Sequence, residues 1–233
     1  MLHMATSECR SGGSVASVDQ NYTLDQNYTA TFLADDRQER AIVLHLVLSF
    51  VGGMLLGALG AALADGPDLL YAIYEPYVYV LFVVIVGRTA AGLGWAALTS
   101  LLATLGPIIS LLAASIFKSG GEFLSLGSNG ATLNFTLLTL ASFGLLSYFT
   151  KRDDLWGDVA GGVLVGLVAI EGMDKALPAG ADHVAGFWPG SVLVVTALAM
   201  AVLFSLRRGK GRFRSALVAL IIGCSYFVFA VGI

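Results

Sequence analysis

Two carboxylates, Glu75 and Glu171, stand inside otherwise apolar stretches of the chain. An ionised carboxylate in hydrocarbon is costly, so a residue of this kind points to a specific partner, a proton or a solute rather than to packing. Glu171 precedes Lys175 by four residues, acid first, which is the favourable order for an ion pair on one helix face. Lys175 can neutralise that acid while extending its ammonium outward to the interface. Glu75 has no such partner along the chain and is surrounded by Tyr71, Tyr74, Pro76, Tyr77 and Tyr79. Two accounts of this cluster are open. In one, the tyrosines form an aromatic belt and Glu75 reaches lipid headgroups. In the other, Pro76 opens the helix and Glu75 faces an interior cavity. The candidate intramembrane polar site is therefore Glu75, Glu171 and Lys175, with Asp174 and His183 near the same membrane surface as accessories.

Patterns for covalent or metal chemistry are missing. There is no HExxH, GxSxG, P-loop or dinucleotide fingerprint, and His3, His45 and His183 are widely scattered. The eleven aspartates fall in the tail, loops or span ends, so the deep aspartate pair of an intramembrane protease is not available. Cys9 lies in the polar tail and Cys224 in the last apolar stretch, with no CxxC or Cys/His cluster. No catalytic residue, metal or cofactor is assigned on these grounds. An enzyme is the less favoured class, its one form here being a lipid-modifying activity at the outer face with Glu75, Glu171 and His183 as acid and base.

The elements that must position these residues follow from composition. Of 233 residues 57% are hydrophobic and only 12% charged, with a mean hydropathy of +0.81, which indicates an integral membrane protein. A span needs about 20 mostly apolar residues, because the hydrocarbon core is about 30 Å thick. Seven stretches qualify, at about 41–64, 67–86, 95–117, 131–149, 156–177, 188–206 and 215–233. The expected fold is an all-α, polytopic bundle of seven transmembrane helices. Sorting Lys and Arg by side puts eleven on one face and only Lys118 and Lys175 on the other. By the positive-inside rule the N-terminus is inside and the C-terminus outside. Arg exceeds Lys nine to four and Asp exceeds Glu eleven to five, a composition of GC-rich prokaryotes, and the expected location is a prokaryotic plasma membrane. Nucleic acid is excluded as a partner, since the chain carries no surplus of positive charge.

Residues 1–40 have no apolar core behind a basic start and read as a disordered cytoplasmic tail ahead of a membrane domain at 41–233. The tail holds a duplication, Asp19 to Thr23 repeated at Asp25 to Thr29. Small residues mark helix interfaces: Gly53 and Gly57 in the first span, Gly161, Gly162 and Gly166 in the fifth. Both spans carry a GGxLxG run, which suggests two parallel three-helix units. Pro107 should kink the third span, and Thr132, Thr136, Thr139 and Ser142 form a small polar stripe in the fourth. Three function classes follow. The first is a transporter- or channel-like protein for a small solute or ion. The others are a membrane scaffold or assembly subunit, and the outer-face enzyme. Expected partners are membrane lipids, and a second copy or another membrane protein on the small-residue faces.

Overall fold

The computed structural model describes residues 16–119, 130–178, 183–184, 186–207 and 209–231, with the backbone alone for 16–38, 115, 117–119, 130–136, 191 and 230–231. Every element among the described residues is helical. In chain order they are α1 (Ala16–Leu63), α2 (Asp68–Tyr74), α3 (Tyr77–Thr89), α4 (Leu93–Ser119), α5 (Gly130–Phe149), α6 (Leu155–Ala176), α7 (Gly190–Leu206) and α8 (Lys210–Val231). The chain divides into two compact units, Met1–Val43 and Leu44–Ile233. In the first unit the backbone is helical from Ala16, where an unstructured tail reaching residue 40 is expected from composition. No Gly or Pro occurs between Gly13 and Gly52, so nothing in the sequence interrupts a helix once it has started. All side chains considered below belong to the second unit.

Five stretches are long and apolar enough to cross a membrane: Glu39–Leu63, Asp68–Thr89, Leu93–Ala114, Leu155–Ala176 and Lys210–Phe229. Two shorter apolar helices, Leu137–Phe149 and Val192–Leu206, accompany them. Their outward faces are apolar, with Leu55 67%, Leu193 75% and Phe229 85% exposed. Water would oppose such a surface and hydrocarbon would not, which is the pattern of a membrane protein.

Observed boundaries depart from the expected ones where turn chemistry intervenes. The stretch expected to span 67–86 is interrupted, α2 ending at Tyr74 and α3 starting at Tyr77 after Pro76. The last helix begins at Lys210, five residues before the expected start at 215. Gly209 makes that turn with φ +54, a left-handed conformation that only Gly adopts readily. Arg212 and Arg214 are consequently helical residues and not loop residues. α4 is helical from end to end with Pro107 inside it.

The glycine faces meet other helices as their spacing implies. A Cβ at Gly53 would lie 2.5 Å from the Ala103 carbonyl oxygen and 2.8 Å from Pro107 Cδ, and one at Gly57 would lie 2.5 Å from Pro107 Cα. Pro107 has no N–H for the Ala103 carbonyl, so the bare backbone of α1 packs against the part of α4 that the proline leaves open. On α6, Gly162 and Gly166 likewise admit Val218 and Ile222 of α8.

Candidate functional site

The interruption at Pro76 creates the site. In an unbroken helix the Ala72 carbonyl would accept from residue 76, but proline carries no N–H. The last bond of α2 is from Glu75 N–H to Tyr71 O at 2.8 Å, and Val80 N–H to Pro76 O at 2.9 Å opens α3. Lys175, near the end of α6, supplies the missing donor. Its Nζ donates to Ala72 O at 3.2 Å and also to the Glu75 carbonyl, stands 3.7 Å from Glu171 Oε1, and lies 5.6 Å from the Tyr77 ring centroid. The lysine is only 7% exposed. Instead of snorkelling to an interface, as its place near a span end suggests, it turns inward because two carbonyls freed by the break and a carboxylate await a donor there.

Beside this junction lies a cavity of about 980 Å³. Glu75, Glu171 and Lys175 all line it, as do Asp68 and His183, both exposed. Thr139 from α5 also faces the cavity, while Tyr71, Tyr77 and Phe143 contribute aromatic walls. One Glu75 carboxylate oxygen, Oε2, is buried with no hydrogen-bond partner among the described residues, and so is the Tyr77 hydroxyl. Buried polar atoms are normally satisfied, so these two are buried groups of the cavity wall with hydrogen-bonding capacity left over. Tyr74, Tyr77 and Tyr79 are 8%, 4% and 5% exposed and belong to the core. They therefore do not form the interfacial belt that was one account of the cluster.

Other expected participants lie elsewhere. Asp174 is not among the cavity residues; its Oδ1 accepts from the Tyr226 hydroxyl at 2.6 Å, which ties α6 to α8. Ser142 Oγ donates to Thr139 O at 2.6 Å on its own helix, and the side chains of Thr132 and Thr136 lie outside the described residues.

A second polar cluster, unforeseen from the sequence, sits at the opposite end of α6. Arg207, 5% exposed, pairs with Asp158 through Nη2, and donates to the carbonyls of Thr150 at 3.2 Å, Arg152 at 2.6 Å and Asp154 at 3.1 Å. Arg214 Nη1 approaches the other Asp158 oxygen at 3.5 Å, and Ser215 Oγ donates to Asp158 O at 2.7 Å. The cluster binds the α5–α6 turn, α6, α7 and α8 into one junction. Beside it, Asp154 caps α6 by accepting from Gly157 N–H at 3.1 Å and pairs with Arg152 at 2.7 Å. The Arg152 hydrogen bond, followed by that from Gly157, holds the Asp154 carboxyl below its ordinary range. Lys151 donates to Ala90 O at 2.6 Å, and its ammonium is pushed below its usual range by burial and then by repulsion from Arg88. The sequence signal for the cluster is Asp158 in the first apolar turn of a span, opposite Arg207 at the end of another.

Comparison with known proteins adds no constraint: no protein-family model, no curated protein and no solved structure matches this chain.

Proposed function

We propose that this chain is a transporter- or channel-like membrane protein for a small solute or ion, and that the cavity at the α2–α3 break is where the solute sits. The observation that carries this reading is the convergence of Glu75, from the α2–α3 break, with Glu171 and Lys175, from one face of α6, on one cavity beside an interrupted span. Interrupted helices lining a polar cavity are a recurrent way for membrane proteins to bind solutes, because the break releases backbone groups and the cavity keeps them away from lipid. A scaffold needs no such cavity.

The proposed topology is seven spans in a prokaryotic plasma membrane, with the N-terminus inside. α5 with 20 residues and α7 with 17 would complete the set, since at ~1.5 Å per residue they extend about 30 Å and 26 Å. Eleven of the thirteen Lys and Arg then lie on the inner side. The Arg207 cluster is inner and the cavity opens outward.

Solute counterflow tests the reading. Vesicles holding the full chain are preloaded in turn with unlabelled choline, glycine or rubidium chloride and given a trace of the labelled form outside. Accumulation above protein-free vesicles for at least one probe, reduced to background by Glu75→Gln, is expected. Background accumulation for all three overturns it.

A further inference from the structure

Resting on the reading above and going beyond it, we propose that the cavity selects a small organic cation, of the amine or quaternary ammonium class. Charge gives the sign. Three carboxylates, Asp68, Glu75 and Glu171, face the cavity against one fixed cation, Lys175. The lysine charge is already engaged by Ala72 O, Glu75 O and Glu171. The described carboxylates of the wall therefore outnumber its lysine three to one, and an anion entering it would meet Glu75 with the hydroxyls of Tyr77 and Thr139 and the exposed His183 ring as the remaining donors among the described lining residues, none of them a fixed cation like Lys175.

The walls give the rest of the chemistry. A hydrated inorganic ion needs a shell of oxygens to replace its water. Here the surfaces between the carboxylates are apolar and aromatic, from Val80, Leu140, Phe143, Val168, Tyr71 and Tyr77. Such walls suit a cation that carries its own hydrocarbon surface, and aromatic faces attract alkylammonium groups through their quadrupoles. About 980 Å³ lies at the upper end of the range for small-molecule sites.

The acidic cluster is not the only pointer to a ligand. The Tyr77 side chain lines the cavity, is 4% exposed, lies within electrostatic reach of Glu171, and has a hydroxyl without a partner among the described residues. A buried phenol left open in this way needs an acceptor or donor from a bound molecule or its water. With Glu75 Oε2 it sets two polar fixing points in an apolar chamber, which is the composition of sites that orient small amphiphilic ligands.

The test is calorimetric titration of the purified full chain at pH 7.5 with choline, with its neutral isostere 3,3-dimethylbutanol, and with glycine betaine, the zwitterion of the same head. Choline is expected to bind at least about tenfold more tightly than either, because shape is shared and only charge differs. Glu75→Gln should weaken choline at least about tenfold and leave the isostere unchanged, while Glu75→Asp should retain most of the preference. Equal affinity for choline and dimethylbutanol overturns the proposal and leaves an apolar chamber. Tighter binding of betaine, or no heat with any probe, also overturns it. The comparison among probes is made on the unsubstituted protein, so it survives a variant that fails to fold. Choline binding without counterflow supports the cation site and overturns the transport reading; glycine counterflow without choline binding does the reverse.

Discussion

At the Asp158 end of α6, a buried carboxylate meets Arg207 and Arg214, and the Arg207 guanidinium also satisfies three carbonyls of the preceding turn. At the other end, thirteen residues and about 20 Å away by helical rise, Glu171 shares Lys175 with a broken helix, and Glu75 Oε2 has no partner among the described residues. Both ends combine carboxylates, cationic side chains and backbone carbonyls. One end pairs its charges with one another and with backbone groups, leaving among the described residues the Arg207 Nε without a partner, and this fixes the geometry of four chain segments. The other keeps a cavity beside the Glu75 carboxylate, whose Oε2 has no partner among the described residues, so its open polar capacity faces a space that can hold a ligand. The difference separates a junction from a binding site.

That contrast orders the expected effects of substitution on unfolding in detergent. The largest belongs to the closed end. Arg207→Met leaves the buried Asp158 carboxylate with the more distant and more exposed Arg214 as its cation and should cost about 3 kcal/mol, read as a large fall in melting temperature. The double change Arg207→Met with Asp158→Leu should recover part of the loss, but not all of it, because the carbonyls of Thr150, Arg152 and Asp154 also lose their donor. Complete recovery would show that the cluster is an ion pair and nothing more.

Lys175→Met should come second, at about 2–3 kcal/mol for charged hydrogen bonds lost at Ala72 O and Glu75 O. Because it also removes the one lysine charge of the cavity wall, it should sharpen the preference for choline even as it loosens the α2–α3 junction. Glu75→Gln, in contrast, should shift stability by less than about 1 kcal/mol while removing the cation preference. A loss as large as that of Arg207→Met would place Glu75 in the structural class and collapse the comparison.

The smallest effect concerns Asp154. Its folded pKa lies below the ordinary 3.8, so its contribution is present above that value and is lost as pH falls through the folded pKa. Asp154→Asn keeps an N-cap acceptor and should flatten the acid limb of the stability profile below pH 3.8, with little change at pH 7. Because the carboxylate stands at the surface, with the side chain 40% exposed, added salt should shrink the difference.

How much of this was legible in the residues depends on the range of the interactions. Glu75, Glu171 and Lys175 stand out because charge inside an apolar run is a local signal, and the glycine faces of α1 and α6 because spacing is local too. The inward turn of Lys175 was not legible: the carbonyls that attract it are freed by a proline a hundred residues away in the chain. The Arg207–Asp158 junction was missed for a related reason. Near span ends, charge informs orientation, and pairing across 49 positions leaves no periodic trace. Helix ends moved where a single residue decides the turn, at Pro76 and at Gly209.

The sign of the field in the cavity is the central claim, and cysteine labelling reads it directly. Thr139, a cavity residue on α5, is changed to Cys in a background of Cys9→Ser and Cys224→Ser. The full chain in vesicles is then treated with methanethiosulfonate reagents of opposite charge and similar size. The account predicts that the cationic reagent reacts about tenfold faster than the anionic one, with the ratio falling toward one when Glu75→Gln is added. Equal rates, a faster anionic reagent, or no reaction with either would contradict it.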